Sequence, residues 1–437
     1  VSLRDLERLV ESVPGPRSKR LASQLRAYES RNVTYLSDDF PVFWEAANGA
    51  TVTDVDGNRY IDCTAAFGVA NAGHCNPQVT AAVLEQVERL VHGMGDVHPS
   101  AIRVRLLERL SQVLPTGLDR IFLATTGSEA IEAALKTAIL YTGKARFAAF
   151  RGGYHGLSFG ALAVGGIERF SAPFAAAIGA EPLLLDFPKA GGHTNSRDAA
   201  LETNRRLSER DDIAALVVEP IQGRAGVILP PPGYLRELRA VCDERQIVMI
   251  VDEIFTGFGR TGTWFAIERD GIVPDIICIG KAMGSGFPIS AAAGTSQVMD
   301  AWPISGGEAL HTSTYLGHPL GCAAALATIG EIERLQLAQR AHRLGDELGA
   351  RMIALSSFEG IAEVRGRGLL WGIAFADAAF ASAVVKRALR AGAIFLQSGI
   401  AGDVVAISPP LVIGEEQLAR ALEILKVAIE ETHNRQW

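Results

Sequence analysis

Between residues 120 and 294 the chain repeats one pattern: a short, uninterrupted apolar run, a polar or glycine-rich loop, then a helix-forming stretch. The runs fall at 121–124, 147–150, 213–218, 247–251 and 276–279, with a further apolar segment at 289–293. Runs without polar alternation are strands buried on both faces, which occur in parallel sheets covered by helices. The alternation therefore specifies an α/β fold with a mainly parallel sheet and helices on both sides. Between the strands, 128–141 and 233–244 read as helices.

The flanking segments follow other rules. Residues 51–63, TVTDVDGNRYIDC, alternate around Asp56-Gly57, the signature of a β-hairpin. Residues 2–12 read as a helix stopped by Pro14, Gly15 and Pro16, and 77–91 and 101–113 read as helices. A long helix at 319–336 leads into an α+β unit: helix 338–355, strands near 362–375, helix 377–391 and a final helix 415–433. A chain of 437 residues is long enough for two or more domains.

Composition removes several functions. A net charge of −7 argues against non-specific nucleic-acid binding. No apolar run reaches the roughly 18 residues of a membrane span. The charged N-terminal pattern, VSLRDLERLVESVPG, is unlike a secretory signal. Cys63, Cys75, Cys242, Cys278 and Cys322 are scattered without a C-x-x-C pair, so they read as buried thiols in a reducing cytoplasm, with no metal site.

Chemistry is expected at the strand ends, where open α/β sheets collect their ligands. The run 247–251 leads into Asp252, and 276–279 leads into Gly280 and Lys281. A desolvated lysine loses its charge readily and becomes a nucleophile; the alternative is a lysine leaving the sheet for solvent. A carboxylate in an apolar wall needs a partner. A pyridinium nitrogen is one, and a helix cap or an ion pair with Arg260 are the alternatives, while Glu253 is expected to face a loop. TTGSEA, residues 125–130, joins a strand to a helix with capping-box spacing between Thr126 and Glu129. Gly127 lets the backbone approach a ligand, and the first helical amides suit an anion such as phosphate. No Walker loop or dinucleotide fingerprint is present in this turn, which speaks against a nicotinamide dehydrogenase. GGYHG, residues 152–156, offers Tyr154 for stacking on a flat ring or for plain packing. EPIQGR, residues 219–224, ends a further strand.

These motifs, in this order, resemble the class III aminotransferases, the group of ornithine, acetylornithine and 4-aminobutyrate aminotransferases. The resemblance runs from VTDVDGNRYIDC through TTGSEA, YHG, EPIQG, DEIFTGFGRTG and DIICIGKAMGSGFP to HTSTYLGHPLGCAAALA and VRGRGLLWGI, nearly the whole chain. It implies a fold-type I pyridoxal 5′-phosphate enzyme. The large cofactor domain would span 70–325, and a smaller α+β domain would combine 1–69 with 326–437. It implies Lys281 as Schiff base and proton shuttle, Asp252 on the pyridine nitrogen, Gly127 and Ser128 on the phosphate, Tyr154 on one ring face and Ile254 on the other. His155 and Glu219 complete the cofactor set. Thr314 would reach the phosphate of the neighbouring subunit of a homodimer, and Arg365 would bind the substrate carboxylate. The implied reaction is ping-pong transfer of an amino group between an amino donor and a 2-oxo acid. An aminomutase or epimerase, or a sensor that only binds the cofactor, uses the same fold.

The chain departs from the commoner pattern at several positions: Phe255 stands where a glutamine is usual, Arg224 where a glutamate is usual, GHCNP replaces GHxHP, and LGHPL with His318 replaces GGNPL. Arg224 is read as binding a second substrate carboxylate, as pairing with an acid elsewhere in the pocket, or as facing solvent.

Overall fold

The computed structural model describes residues 12–436 apart from Ala180 and His193. The helix expected at 2–12 lies outside the described residues except for Ser12. The central element is a seven-stranded sheet: β4 (Arg120–Ala124), β5 (Arg146–Phe150), β6 (Leu183–Leu185), β7 (Ile213–Val218), β8 (Val248–Asp252), β9 (Ile276–Ile279) and β10 (Ser290–Gly294), in the spatial order β4-β10-β9-β8-β7-β5-β6. Strands β6, β5, β7, β8 and β9 pair in parallel. Every residue of β7, β8, β9 and β10 is buried, which is why these runs lack alternation. Truncating one of these fully buried residues, such as Ile250, costs roughly 2–5 kcal/mol.

β10 runs antiparallel to both neighbours, β4 and β9. The connection at 280–289 holds only a short 3₁₀ turn, Lys281–Gly284. A parallel return needs a crossover of about a dozen residues or more, so this short link reverses the strand. The helix Gly127–Thr142 crosses the sheet on its alanines: Ala130, Ala134 and Ala138 are fully buried, and their small size lets helix and sheet approach closely.

Two smaller sheets flank this one. β1 (Trp44–Asn48), β2 (Thr51–Asp54) and β3 (Arg59–Asp62) form the expected hairpin plus a strand that the sequence pattern missed. Asp54 closes the turn by accepting from the Asn58 amide (2.8 Å), Asn58 Nδ2 and the Tyr60 hydroxyl. β13 (Ala393–Ile394) joins β3 in parallel, so distant parts of the chain share this sheet. The third sheet is antiparallel, in the order β11-β12-β15-β14: β11 (Ile361–Arg367), β12 (Leu370–Phe375), β14 (Leu396–Ser398) and β15 (Val404–Ile407).

The Pro14-Gly15-Pro16 stop is also a start: Pro16 opens the helix Pro16–Tyr28, where a missing N–H costs nothing. Asp56, from the hairpin turn, accepts from the Arg17 and Ser18 amides at that helix's first turn. One cysteine differs from expectation. Cys75 is exposed, in a left-handed turn (φ +47°) before the Asn76 cap, whereas the other four are buried; all five are free. No described helix is long and apolar enough to cross a membrane.

Candidate active site

The carboxyl ends of β4, β5, β7, β8 and β9 surround one cavity of about 630 Å³. Its walls bring together Gly127, Ser128, Tyr154, His155, Glu219, Arg224, Asp252, Ile254 and Lys281, residues that span more than 150 positions of sequence.

Asp252 ends β8 and is buried. One of its oxygens accepts from the Ile254 amide (3.0 Å), and the other shares a 2.7 Å hydrogen bond with His155 Nδ1. It has neither of the alternative partners: Arg260 is fully buried elsewhere, donating to the carbonyls of Leu369 (2.9 Å) and Pro409 (2.6 Å) and to Asn71. Burial pulls the Arg260 guanidinium down to about 9, opposed by the charge of Asp62. At His155 burial disfavours the imidazolium, but the bond and charge of Asp252 and the charge of Glu219 outweigh it and raise its pKa. Glu219 accepts from the amides of Tyr154 and Gly223, each at 3.0 Å. Burial pushes its carboxyl up to about 7, opposed by His155 and reinforced by Asp252.

Lys281 follows β9 in the left-handed region, at φ +41°. That conformation costs a residue with a side chain about 1 kcal/mol or more, a strain common at functional sites. Its Nζ lies 4.7 Å from the centroid of the Phe255 ring. Burial pulls the amine below the ordinary lysine range; the charges of Asp252 and Glu219 oppose this without reversing it. Lys281 therefore lines the cavity and does not leave the sheet for open solvent. Phe255 fits because glycines stand on both sides of it: a Cβ at Gly68 or Gly223 would collide with its ring.

The capping box forms as expected. Thr126 Oγ1 accepts from the Glu129 amide (3.3 Å), and Glu129 accepts from the amides of Thr125 (2.7 Å) and Thr126. The amides of Gly127 and Ser128, first in the helix, have no intrahelical acceptor and sit at the positive end of its dipole. The space around them is shaped. A Cβ at Gly127 would come within 2.8 Å of Ile254 Cδ1, and one at Gly156 (φ +119°) would strike Ser128 Oγ.

Two expected residues do not line this cavity. Thr314, expected to act on a neighbouring subunit and not on its own, is exposed. Arg365 is not a lining residue either: its Nε donates to the carbonyls of Gly226 (3.0 Å) and Val227 (3.1 Å), and its Nη1 pairs with Glu363. Its guanidinium is thus engaged by backbone carbonyls and by Glu363 and is not among the groups that line the cavity, and the carboxylate-binding role stays what the resemblance implies. Arg224 does line the cavity and is in no ion pair among the described residues, so the expected alternative of an acidic partner falls away. Glu253 faces a loop, as expected, but fully buried: it holds the Ile267 amide (2.9 Å) and the Thr256 hydroxyl. Sequence reasoning passed over Phe67, Val69, Phe170, Phe287 and Ser408, which also line the cavity. Phe67, Val69 and Phe170 come from segments without a strand-end signal, and Phe287, in the loop after β9, was overshadowed by Lys281.

The model of aminotransferase class-III matches residues 34–429. The chain belongs to the class-III aminotransferase family. It is 40% identical to acetylornithine aminotransferase of Methanopyrus kandleri, over 89% of this chain and 95% of that protein. It is 37% identical to acetylornithine aminotransferase of Methanosarcina mazei, over 89% of this chain and 92% of that one. Among solved structures it resembles a transaminase from the marine bacterium Virgibacillus (TM-score 0.90, 25% identity, 96% of this chain and 100% of that one). It also resembles ornithine aminotransferase from Toxoplasma gondii (TM-score 0.84, 30% identity, 96% and 95%). This class-III aminotransferase is a transaminase with the fold-type I architecture, and its cofactor is pyridoxal 5′-phosphate. The residues present fit that group: an anion cradle of helix N-terminal amides, a buried carboxylate braced by a histidine, and an amine held below its usual pKa share one cavity.

Proposed function

We propose that this transaminase moves an amino group from an amine or amino-acid donor to a 2-oxo acid in a ping-pong cycle, with Lys281 as its central residue. The supporting observation is that Lys281 and Asp252, ends of adjacent strands β9 and β8, line one cavity with the Gly127–Ser128 amides. Pyridoxal phosphate supplies an electron-accepting ring when bound. Gly127 and Ser128 hold its phosphate through first-turn amides. Asp252 holds the pyridine nitrogen in its protonated form, and His155 fixes the orientation of that carboxylate. Tyr154 and Ile254 pack on its ring, and Glu219 ties the Tyr154 backbone to the loop at Gly223. Lys281 would anchor the cofactor covalently, and its amine would move the proton at the amine-bearing carbon of the substrate; a pKa lowered by burial keeps it able to accept one.

We read residues 70–325 as the cofactor domain and 1–69 with 326–437 as the smaller one, supported by β13 completing the sheet of β1 to β3. We also read the enzyme as a homodimer. Val91, Met94, Val97, Ile304, Leu310 and Tyr315 are exposed apolar side chains, and His92 joins their two segments by ring contacts with Tyr315 and His318. Such a patch fits a protein partner. Thr314 sits in it, ready to meet the phosphate of a second copy. Five free cysteines agree with a cytoplasmic enzyme.

The test is a donor and acceptor panel on the purified enzyme, beginning with acetylornithine and ornithine, which the relatives' names suggest. Each donor alone should change the cofactor's visible absorption, and a 2-oxo acid should restore it. A spectrum that no donor changes would overturn the reading; racemisation without any 2-oxo acid would favour an epimerase.

A further inference from the structure

The wall of the cavity away from the strand ends carries a positive charge with no answering acid. Arg224 follows Glu219-Pro220-Ile221-Gln222-Gly223 into the cavity. It is partly buried, and among the described residues its guanidinium makes one long hydrogen bond, from Nη1 to the Gly399 carbonyl at 3.4 Å. A second guanidinium is close by. Arg169 lies on the short helix Glu168–Ser171, with its Cζ 4.8 Å from the centroid of the Phe170 ring. Phe170 lines the cavity and meets Tyr154 edge to face at 5.7 Å. Among the described residues neither arginine is in an ion pair. Burial and the charge of Arg169 both work against the charged form of Arg224, so the wall as built is electrostatically unsatisfied.

The remaining lining explains why this matters. Beyond Arg224, Lys281 and His155, whose imidazole is taken up by Asp252, the side chains that line the cavity include no basic group: Leu396, Ser398, Ala406 and Ser408 stand on the face contributed by the third sheet, and Phe67, Val69 and Phe255 are apolar. Arg365 is engaged by the Gly226 and Val227 carbonyls and is not on the lining. Any carboxylate brought into this cavity by an amino acid or a 2-oxo acid has one guanidinium on the lining to meet.

We propose that Arg224, backed by Arg169, recognises the substrate carboxylate and makes anionic substrates the preferred class. The proposal rests on the transaminase reading of the site. Arg224 supplies the planar two-pronged donor, and Arg169 adds field at the entrance and is the more exposed and salt-sensitive of the two.

Binding of a substrate-like but unreactive ligand separates this from turnover. Glutarate and its uncharged diamide, glutaramide, are titrated into the holoenzyme by calorimetry. The wild type is expected to favour glutarate by about tenfold or more, the scale of a hydrogen-bonded charge pair. Arg224→Ala removes most of that preference, Arg224→Lys retains part of it, and Arg169→Ala lowers it by roughly two- to fivefold, less so in high salt. Equal binding of the two ligands by the wild type, or a preference unchanged in Arg224→Ala, overturns the proposal. A preference unchanged in Arg169→Ala overturns the role of Arg169. The visible absorption and melting temperature of each variant report folding and cofactor loading. A wild type without that absorption would instead strike the cofactor reading beneath the proposal.

Discussion

The two ends of the cavity are built on different principles. At the inner end, Asp252, His155, Glu219 and Lys281 stand on or just past buried strands, and the first three are tied by hydrogen bonds to backbone or to each other. At the outer end, Arg224 and Arg169 stand on loops and a four-residue helix, without acidic partners among the described residues. The inner end is preorganised by the sheet; the outer end is left open to whatever charge the substrate brings. This division separates reaction type from substrate choice. Strand ends fix positions closely enough for bond-making, while loops change charge without disturbing the core.

Substitutions at the inner end should be the more severe, and the largest effect is expected at Lys281. Lys281→Ala should lower the transamination rate by about 10³-fold or more and alter the cofactor's visible spectrum, measured on the purified variant. A variant with near wild-type turnover would remove the distinction between the two ends. Asp252→Asn follows, with a loss on the order of 10²- to 10³-fold in kcat, the scale of removing one preorganised charge. It should also lower the His155 pKa, seen by NMR titration of the imidazole, because the Asp252 charge that raises it is lost.

Glu253, beside Asp252, offers a test by stability. Burial pushes its carboxyl up to about 7, against an ordinary 4.5. A raised carboxyl binds its proton more tightly when folded, so folding pays no ionisation cost below about 4.5 and the full cost above about 7. From these two values the cost is roughly 3 kcal/mol. Denaturant unfolding of Glu253→Gln should show a stability that gains on the wild type as pH rises through that window. A difference that does not vary with pH would mean that Glu253 is ionised in the fold without penalty.

The smallest effect is expected at Arg365. Arg365→Met should leave the KM for carboxylate substrates within about twofold, while costing about 1–3 kcal/mol of stability through the carbonyls it leaves without a donor. A large rise in KM with stability unchanged would return Arg365 to the cavity and blur the comparison.

Much of the inner end was legible in the chain. Uninterrupted apolar runs marked β7, β8 and β9, and a charged residue at the end of such a run is costly unless used, so Asp252 and Lys281 stood out. The capping box at Thr126 and Glu129 was equally readable, since it depends on spacing within one helical turn. The outer end was not readable in this way. Arg365 in VRGRGL looked like a carboxylate ligand, yet its guanidinium is consumed by backbone carbonyls at Gly226 and Val227, a contact across 138 positions or more.

The local pattern of this sequence determined the strands, the helices, the class of fold and the polar groups at the strand ends. These follow from periodicity and from the cost of burying charge, and both act over a few residues. Tertiary structure alone decided that β10 runs backwards, that Phe255 lies beneath Lys281 between two glycines, and that Arg224 rather than Arg365 faces the cavity. Those outcomes depend on which distant backbone atoms reach a side chain first, and that contest is settled only when the whole chain has packed.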